Sequence, residues 1–237
     1  MTDLSDNPDN LELFFDIAEN NRKGNIARFP EAYDVLRRVN ICLSTAGKHL
    51  VNPNPVMAGV LFLRCNFAYK TAVSQALSGQ VCEAFVTMRS CLEYAGCAIM
   101  IHHDPSLERV FTDRHIAPGN LAIHKRTFQV GNMKTAIAAY DQKLADNFDL
   151  FYQRCIDFGA HPNPHATFSA MEMTLEQKVK GEFTSFAMVT DKDTILHALK
   201  SVGLGLTALY VFQHIYTAKF GLLGIRQEMN KLRTTGL

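Results

Sequence analysis

The feature that most constrains this chain is the run AFVTMRSCLEYAGCAIMI at residues 84–101. At about 100° per residue its apolar side chains fall on every side of a helix, which predicts a helix enclosed by protein all round. Its only charges are Arg89 and Glu93, four residues apart and therefore on one face. Cys82, Val86, Gly96 and Met100 continue that face along the axis. A charge in such a place is costly unless it is paired and hydrogen-bonded. Two readings stay open. Either the pair closes on itself and ties two layers of a bundle together, or it lines a central polar pocket with Arg89 offered to an anion or carboxylate. Arg64 and Tyr69, in the neighbouring run AGVLFLRCNFAYKTA, are candidates for the same network. Tyr69 would supply a hydroxyl, and Arg64 a second cation unless it carries its guanidinium over an apolar stem to solvent.

A buried helix needs others around it, and the remaining sequence supplies them. In PEAYDVLRRVNICLSTAGKHL, Tyr33, Leu36, Val39 and Leu43 recur at helical spacing, and Pro30 suits a first turn. VNPNP breaks the chain, a second helix is expected over 55–77, and a third from 79 or 80 to 102. A short helix PSLERVFTDRH follows, then one or two amphipathic helices over 117–158. TFSAMEMT and EFTSFAMVT, separated by LEQKVKG, read as a small β-hairpin near 166–190. Asp191 or Asp193 would cap a long last helix, TILHALKSVGLGLTALYVFQHIYTAKFGLLGI. The expected fold class is all-α: a multi-helix bundle with a hairpin insertion, forming one domain over 30–237. Residues 1–29 read as a polar arm with one short helix at LELFFDIAEN.

Charge and cysteine usage narrow the functional classes. Lys+Arg 24 against Asp+Glu 23 leaves no global electrostatic footprint for nucleic acid or a membrane surface. The six cysteines form no CxxC pair, and five lie in apolar helical runs, which suits free thiols in a reducing cytoplasm. MTDLSDNPDNLELFF lacks the basic start of a secretory signal. SVGLGLTALYVFQHIYTA carries no formal charge, but its polar side chains suit a buried helix better than a membrane span. No phosphate-binding loop, nucleophile motif or cofactor motif is present.

The second feature of chemical interest is RCIDFGAHPNPHA at residues 154–166. Arg154 and His161 stand in the order and spacing that resemble the Arg-x(4–6)-His motif of HEPN-domain proteins, all-helical modules that include metal-independent ribonucleases. That resemblance implies Arg154 stabilising charge on a phosphate, His161 moving the proton of a 2′-hydroxyl, RNA as substrate and a homodimer. Read from the residues alone, the segment is a rigid Pro-Asn-Pro turn whose histidines make local hydrogen bonds. His161 and His165, with His102 and His103, do not form a metal site by spacing, because His-Pro-Asn-Pro-His lacks the helical geometry of zinc-binding histidine pairs.

ALSGQVCEAFVTMRSCLEYAGCAIMIHHDP also resembles a bacterial helical-bundle family of unknown function, with Arg-Ser-x-x-Glu on a buried helix and a later His-Pro turn. The matching positions are Arg89, Ser90, Glu93 and His161. The expectation is a cytoplasmic binding or interaction module in which Arg89, Glu93 and His161, with Arg64 and Tyr69, hold a small anionic ligand or a partner. No cofactor, metal or membrane is expected, and the ribonuclease is the alternative.

Overall fold

The computed structural model describes residues 11–160, 164, 171–175, 181–185, 188–203 and 205–234. It is an all-α bundle. The helices are α1 (Leu11–Arg28), α2 (Pro30–Lys48), α3 (Val56–Ser78), α4 (Val81–His103), α5 (Leu107–Thr112), α6 (Asn120–Thr127), α7 (Val130–Ala138) and α8 (Gln142–Cys155). After a wide π-helical turn at Ile156–Ala160 come β1 (Met171–Leu175) and β2 (Gly181–Ser185), then α9 (Lys192–Gly203), α10 (Leu206–Ile215), α11 (Thr217–Leu222) and α12 (Ile225–Arg233). The two strands pair antiparallel, Met173 opposite Phe183, where the sequence pattern placed a hairpin.

The antiparallel hairpin of α3 and α4 is the spine. α4 packs against α3, α5, α7, α8, α9, α10 and the π turn, while α3 is flanked by α1, α2 and α9. Cys65 and Cys91 bring their sulfurs to 3.2 Å across this pair, both buried and both thiols. A tight link joins the two helices. Gly79 takes φ +84°, and the N–H of Gln80 donates to the carbonyl of Gln75, closing α3 in a Schellman-type cap. A Cβ on Gly79 would also stand 2.4 Å from the Val189 carbonyl oxygen, so both conformation and space require glycine there.

Three departures from the sequence reading have local causes. The helix expected at LELFFDIAEN is longer: α1 runs from Leu11 to Arg28 and docks on the end of α3 through side-chain amides. Asn25 donates to the Leu77 carbonyl (2.9 Å) and Asn21 to that of Ser78 (3.1 Å), satisfying acceptors that a helix end leaves open. The long last helix is instead the series α9 to α12. Gly205 sits where a Cβ would meet the Tyr69 ring at 2.5 Å, and Gly224, at φ +70°, precedes α12. Finally, α4 is not enclosed all round, because Glu83 and Val86 reach solvent.

Two helical stretches, 81–103 and 192–215, are long and apolar enough to cross a membrane. Their most apolar windows are 67% and 71% buried inside the protein.

Candidate functional site

α8 owes its position to its pattern. Leu144, Ala145, Phe148, Tyr152 and Cys155 recur at three- and four-residue intervals and are buried. Asp141 starts the helix, its carboxylate accepting the Leu144 N–H at 3.0 Å. The buried face of α8 lies on α4, and there Tyr152 meets Arg89 and Glu93.

These three side chains form a closed triangle. Arg89 Nε–H is shared between Glu93 Oε1 at 2.9 Å and the Tyr152 hydroxyl at 3.0 Å, and that hydroxyl donates to Glu93 Oε1 at 2.9 Å. The guanidinium carbon also lies over the Tyr152 ring, 5.2 Å from its centroid. The pair is not sealed, since the side chains of Arg89 and Glu93 keep 27% and 36% of their exposure. Nη1 and Nη2 of Arg89 make no hydrogen bond among the described residues.

The electrostatics follow from this geometry. Burial pushes the Tyr152 phenol up, the Glu93 charge adds to it, and together they take it to about 12 against the opposing pull of Arg89. Burial works against the Arg89 charge, but Glu93 and the Tyr152 hydroxyl outweigh it and leave the guanidinium above its ordinary value. Cys155, three residues beyond Tyr152, is pushed up to about 12 by burial, and the fields of both Arg89 and Arg154 reach it. Arg89, Arg154 and Glu93 thus all lie close enough to the end of α8 to act on the Cys155 thiol.

The other predicted residues fall elsewhere. Arg64 is exposed on α3, its guanidinium 5.7 Å from the Tyr94 ring centroid, where it takes no part in the triangle. Tyr69 is fully buried and donates to the Leu36 carbonyl at 3.1 Å, tying α3 to α2. The polar network that was expected to include both is thus carried by Tyr152, because α8 rather than α3 covers the Arg89 face. Arg154 stands in the last turn of α8 and lies 5.9 Å from the Phe151 ring centroid. With Phe85, Met88, Leu92, Phe151, Cys155 and Ser201 it lines a crevice of about 10 Å³, room for no more than a water.

His161 and His165 lie outside the described residues. The chain leading to them is fixed as far as the π turn, where Gly159 packs so closely that a Cβ would stand 2.2 Å from the Cys82 carbonyl oxygen. Phe158 stacks on Phe85 at 5.2 Å. The first turn of α4 and the end of the π turn therefore adjoin each other, two helical turns from Arg89.

Two further side chains belong to this neighbourhood. Tyr152 left a readable mark, a hydroxyl on the apolar face of an amphipathic helix, where a buried phenol needs a partner. His197 on α9, 5.3 Å ring to ring from Phe158, is held below its ordinary value by burial and by the Arg154 charge. No spacing in the sequence connects it to Arg154. Among the described residues no group of three or more histidine, cysteine, aspartate or glutamate side chains could hold a metal ion.

No family model matches the chain, and no curated protein or solved structure matches it significantly.

Proposed function

We propose that the chain is a binding module that receives an anion, either a small ligand or an acidic group of a partner, on the outward end of the Arg89 guanidinium. One observation carries this reading. Glu93 and Tyr152 hold Nε, while both terminal nitrogens of a partly exposed side chain have no partner among the described residues. A guanidinium held in this way presents a planar fork that suits the two oxygens of a carboxylate or phosphate. Fixing it beforehand lowers the entropy lost on binding. Glu93 holds the inner edge of the guanidinium, its Oε1 accepting from both Arg89 Nε and the Tyr152 hydroxyl.

Calorimetric titration with inorganic phosphate and with succinate tests the proposal. Saturable binding of either, weakened about tenfold or more in Arg89→Lys, is the expected result, because lysine keeps the charge and loses the fork. Equal binding by the wild type and Arg89→Gln would remove Arg89 from the site.

A second reading, a metal-independent ribonuclease using Arg154 and His161, draws support from one observation: Arg154 closes α8, as the HEPN resemblance requires. RNA cleavage in the presence of a chelator, lost in His161→Ala, would favour it. A wild-type protein inert toward RNA would exclude it.

A further inference from the structure

Two of the six cysteines face each other across the α3–α4 spine. Cys65 and Cys91 are fully buried thiols, and their sulfurs stand 3.2 Å apart. A disulfide bond is about 2.05 Å long, so a movement of roughly 1.2 Å separates them from a covalent link. The Cys91 thiol also donates to the Cys65 carbonyl oxygen at 3.7 Å, which brings it onto the backbone of the opposing helix. From these observations we infer that Cys65 and Cys91 form an oxidative modification site, a dithiol that a peroxide closes to a disulfide stapling α3 to α4. The inference does not rest on the anion site.

The sequence around the pair permits so close an approach. Ala58 and Ala72 lie seven residues to either side of Cys65, and Ala84 and Ala98 seven to either side of Cys91, so each set shares one helix face. All four alanines are buried. In an antiparallel hairpin that turns at Gly79, Ala58 falls level with Ala98, Ala72 with Ala84 and Cys65 with Cys91. Small side chains above and below the two sulfurs thus let the helix backbones lie close along this seam.

The chemistry balances with hydrogen peroxide as the oxidant. One sulfur attacks a peroxide oxygen, the O–O bond breaks, and a sulfenic acid forms as water leaves with the thiol proton. The second sulfur attacks the sulfenic sulfur, so that the S–S bond forms and the S–O bond breaks. A second water carries away the other proton. The two thiols give up two electrons and two protons, and the peroxide is reduced to two waters. Contact with Cys91 and burial hold the Cys65 thiol well above its ordinary value, so thiolate is scarce. Both sulfurs are also shut from solvent, and the oxidant reaches them only through local opening. Closure is therefore slow and answers sustained rather than brief exposure. Cys155 is the competing partner, since burial and then the Cys91 charge raise its thiol.

The test is prolonged treatment of the full native chain with excess hydrogen peroxide, followed by unfolding, alkylation of the remaining thiols and mass spectrometry. Peptide mapping of the wild type should place a link between Cys65 and Cys91 that dithiothreitol reverses, formed without loss of helicity. Both cysteines should alkylate fully before treatment and lose that reactivity together. The linked form should unfold at a higher denaturant concentration than the reduced form, because the cross-link restricts the unfolded chain. Cys65→Ala, treated alike, should form no link at Cys91. Cys65 and Cys91 both still alkylatable after treatment, a Cys91–Cys155 link in place of Cys65–Cys91, or a link that lowers the unfolding midpoint would overturn the proposal. So would a Cys65–Cys91 link that appears only after helicity is lost.

Discussion

Tyr152 decides how Arg89 behaves. Without its hydroxyl the Arg89–Glu93 pair is an ordinary helical ion pair at a four-residue interval, with part of its charge in water and little net contribution to stability. With the hydroxyl, the guanidinium has one orientation. Tyr152→Phe is expected to cost about 1 kcal/mol of stability and to weaken anion binding while Arg89 remains in place. Chemical denaturation alongside calorimetry checks both, and a variant that binds as tightly as wild type would show that the hydroxyl does not orient Arg89. The phenol also makes a spectroscopic prediction. Its pKa is raised from 10.0 to about 12, so the stabilisation it brings is complete below pH 10 and is lost as pH rises through 12. Absorbance titration near 295 nm should show one late-ionising tyrosine fewer in Tyr152→Phe than in wild type. At this scale, the Arg89–Glu93 pair was legible because two charges stood alone in an apolar run. Its partner was not, because the face that α8 covers depends on packing between distant segments.

The elements that present these residues are set by caps and close approaches. Asp141→Ala removes the only side-chain cap at the start of α8 among the described residues and should cost about 1 kcal/mol, loosening the helix that brings Tyr152 to α4. Weaker anion binding together with lowered thermal stability is the expected pairing of results. Binding unchanged at lower stability would separate α8 from the site. Gly159→Ala places a methyl group against a backbone carbonyl that has no room to move, and about 3 kcal/mol of destabilisation follows. Denaturant unfolding of that variant measures it. Helical periodicity located α2, α3 and α4 to within two residues, since each presents a long run interrupted by glycine or proline. It failed from α9 to α12, where an uncharged run conceals breaks made by tertiary contact, as where Gly205 meets the Tyr69 ring. The hairpin was legible from its β-branched and aromatic residues even though its alternation was imperfect.

For the molecule as a whole, three histidines among the described residues contribute to the response to acid. His102, His124 and His197 lie on α4, α6 and α9, and burial, with nearby positive charge, lowers each of them below its ordinary value. The unfolded chain then binds protons that the folded chain refuses. The stability these groups contribute is complete above pH 6.5 and is lost as pH falls toward their lowered folded values. The melting temperature should therefore decline as pH is taken from about 7.5 to about 5, before the exposed carboxylates titrate. A flat profile across that interval would contradict it. An enclosed α3–α4 spine was legible at this scale as a pair of apolar runs. The open sides of both helices were not, because hydropathy averages over all faces of a helix. One of those faces, the Arg89 edge, is proposed to meet another molecule.

At the centre of the proposed function, the terminal nitrogens of Arg89 receive an anion while Glu93 and Tyr152 hold Nε. The Arg89 side-chain ¹⁵Nε–Hε resonance, assigned by its absence in Arg89→Lys, reports on this directly during a titration with inorganic phosphate. A resolved, slowly exchanging signal is expected, shifting saturably in wild type and responding more weakly in Tyr152→Phe. A resonance that stays fixed while phosphate binds, or that shows the same response without the Tyr152 hydroxyl, would contradict it.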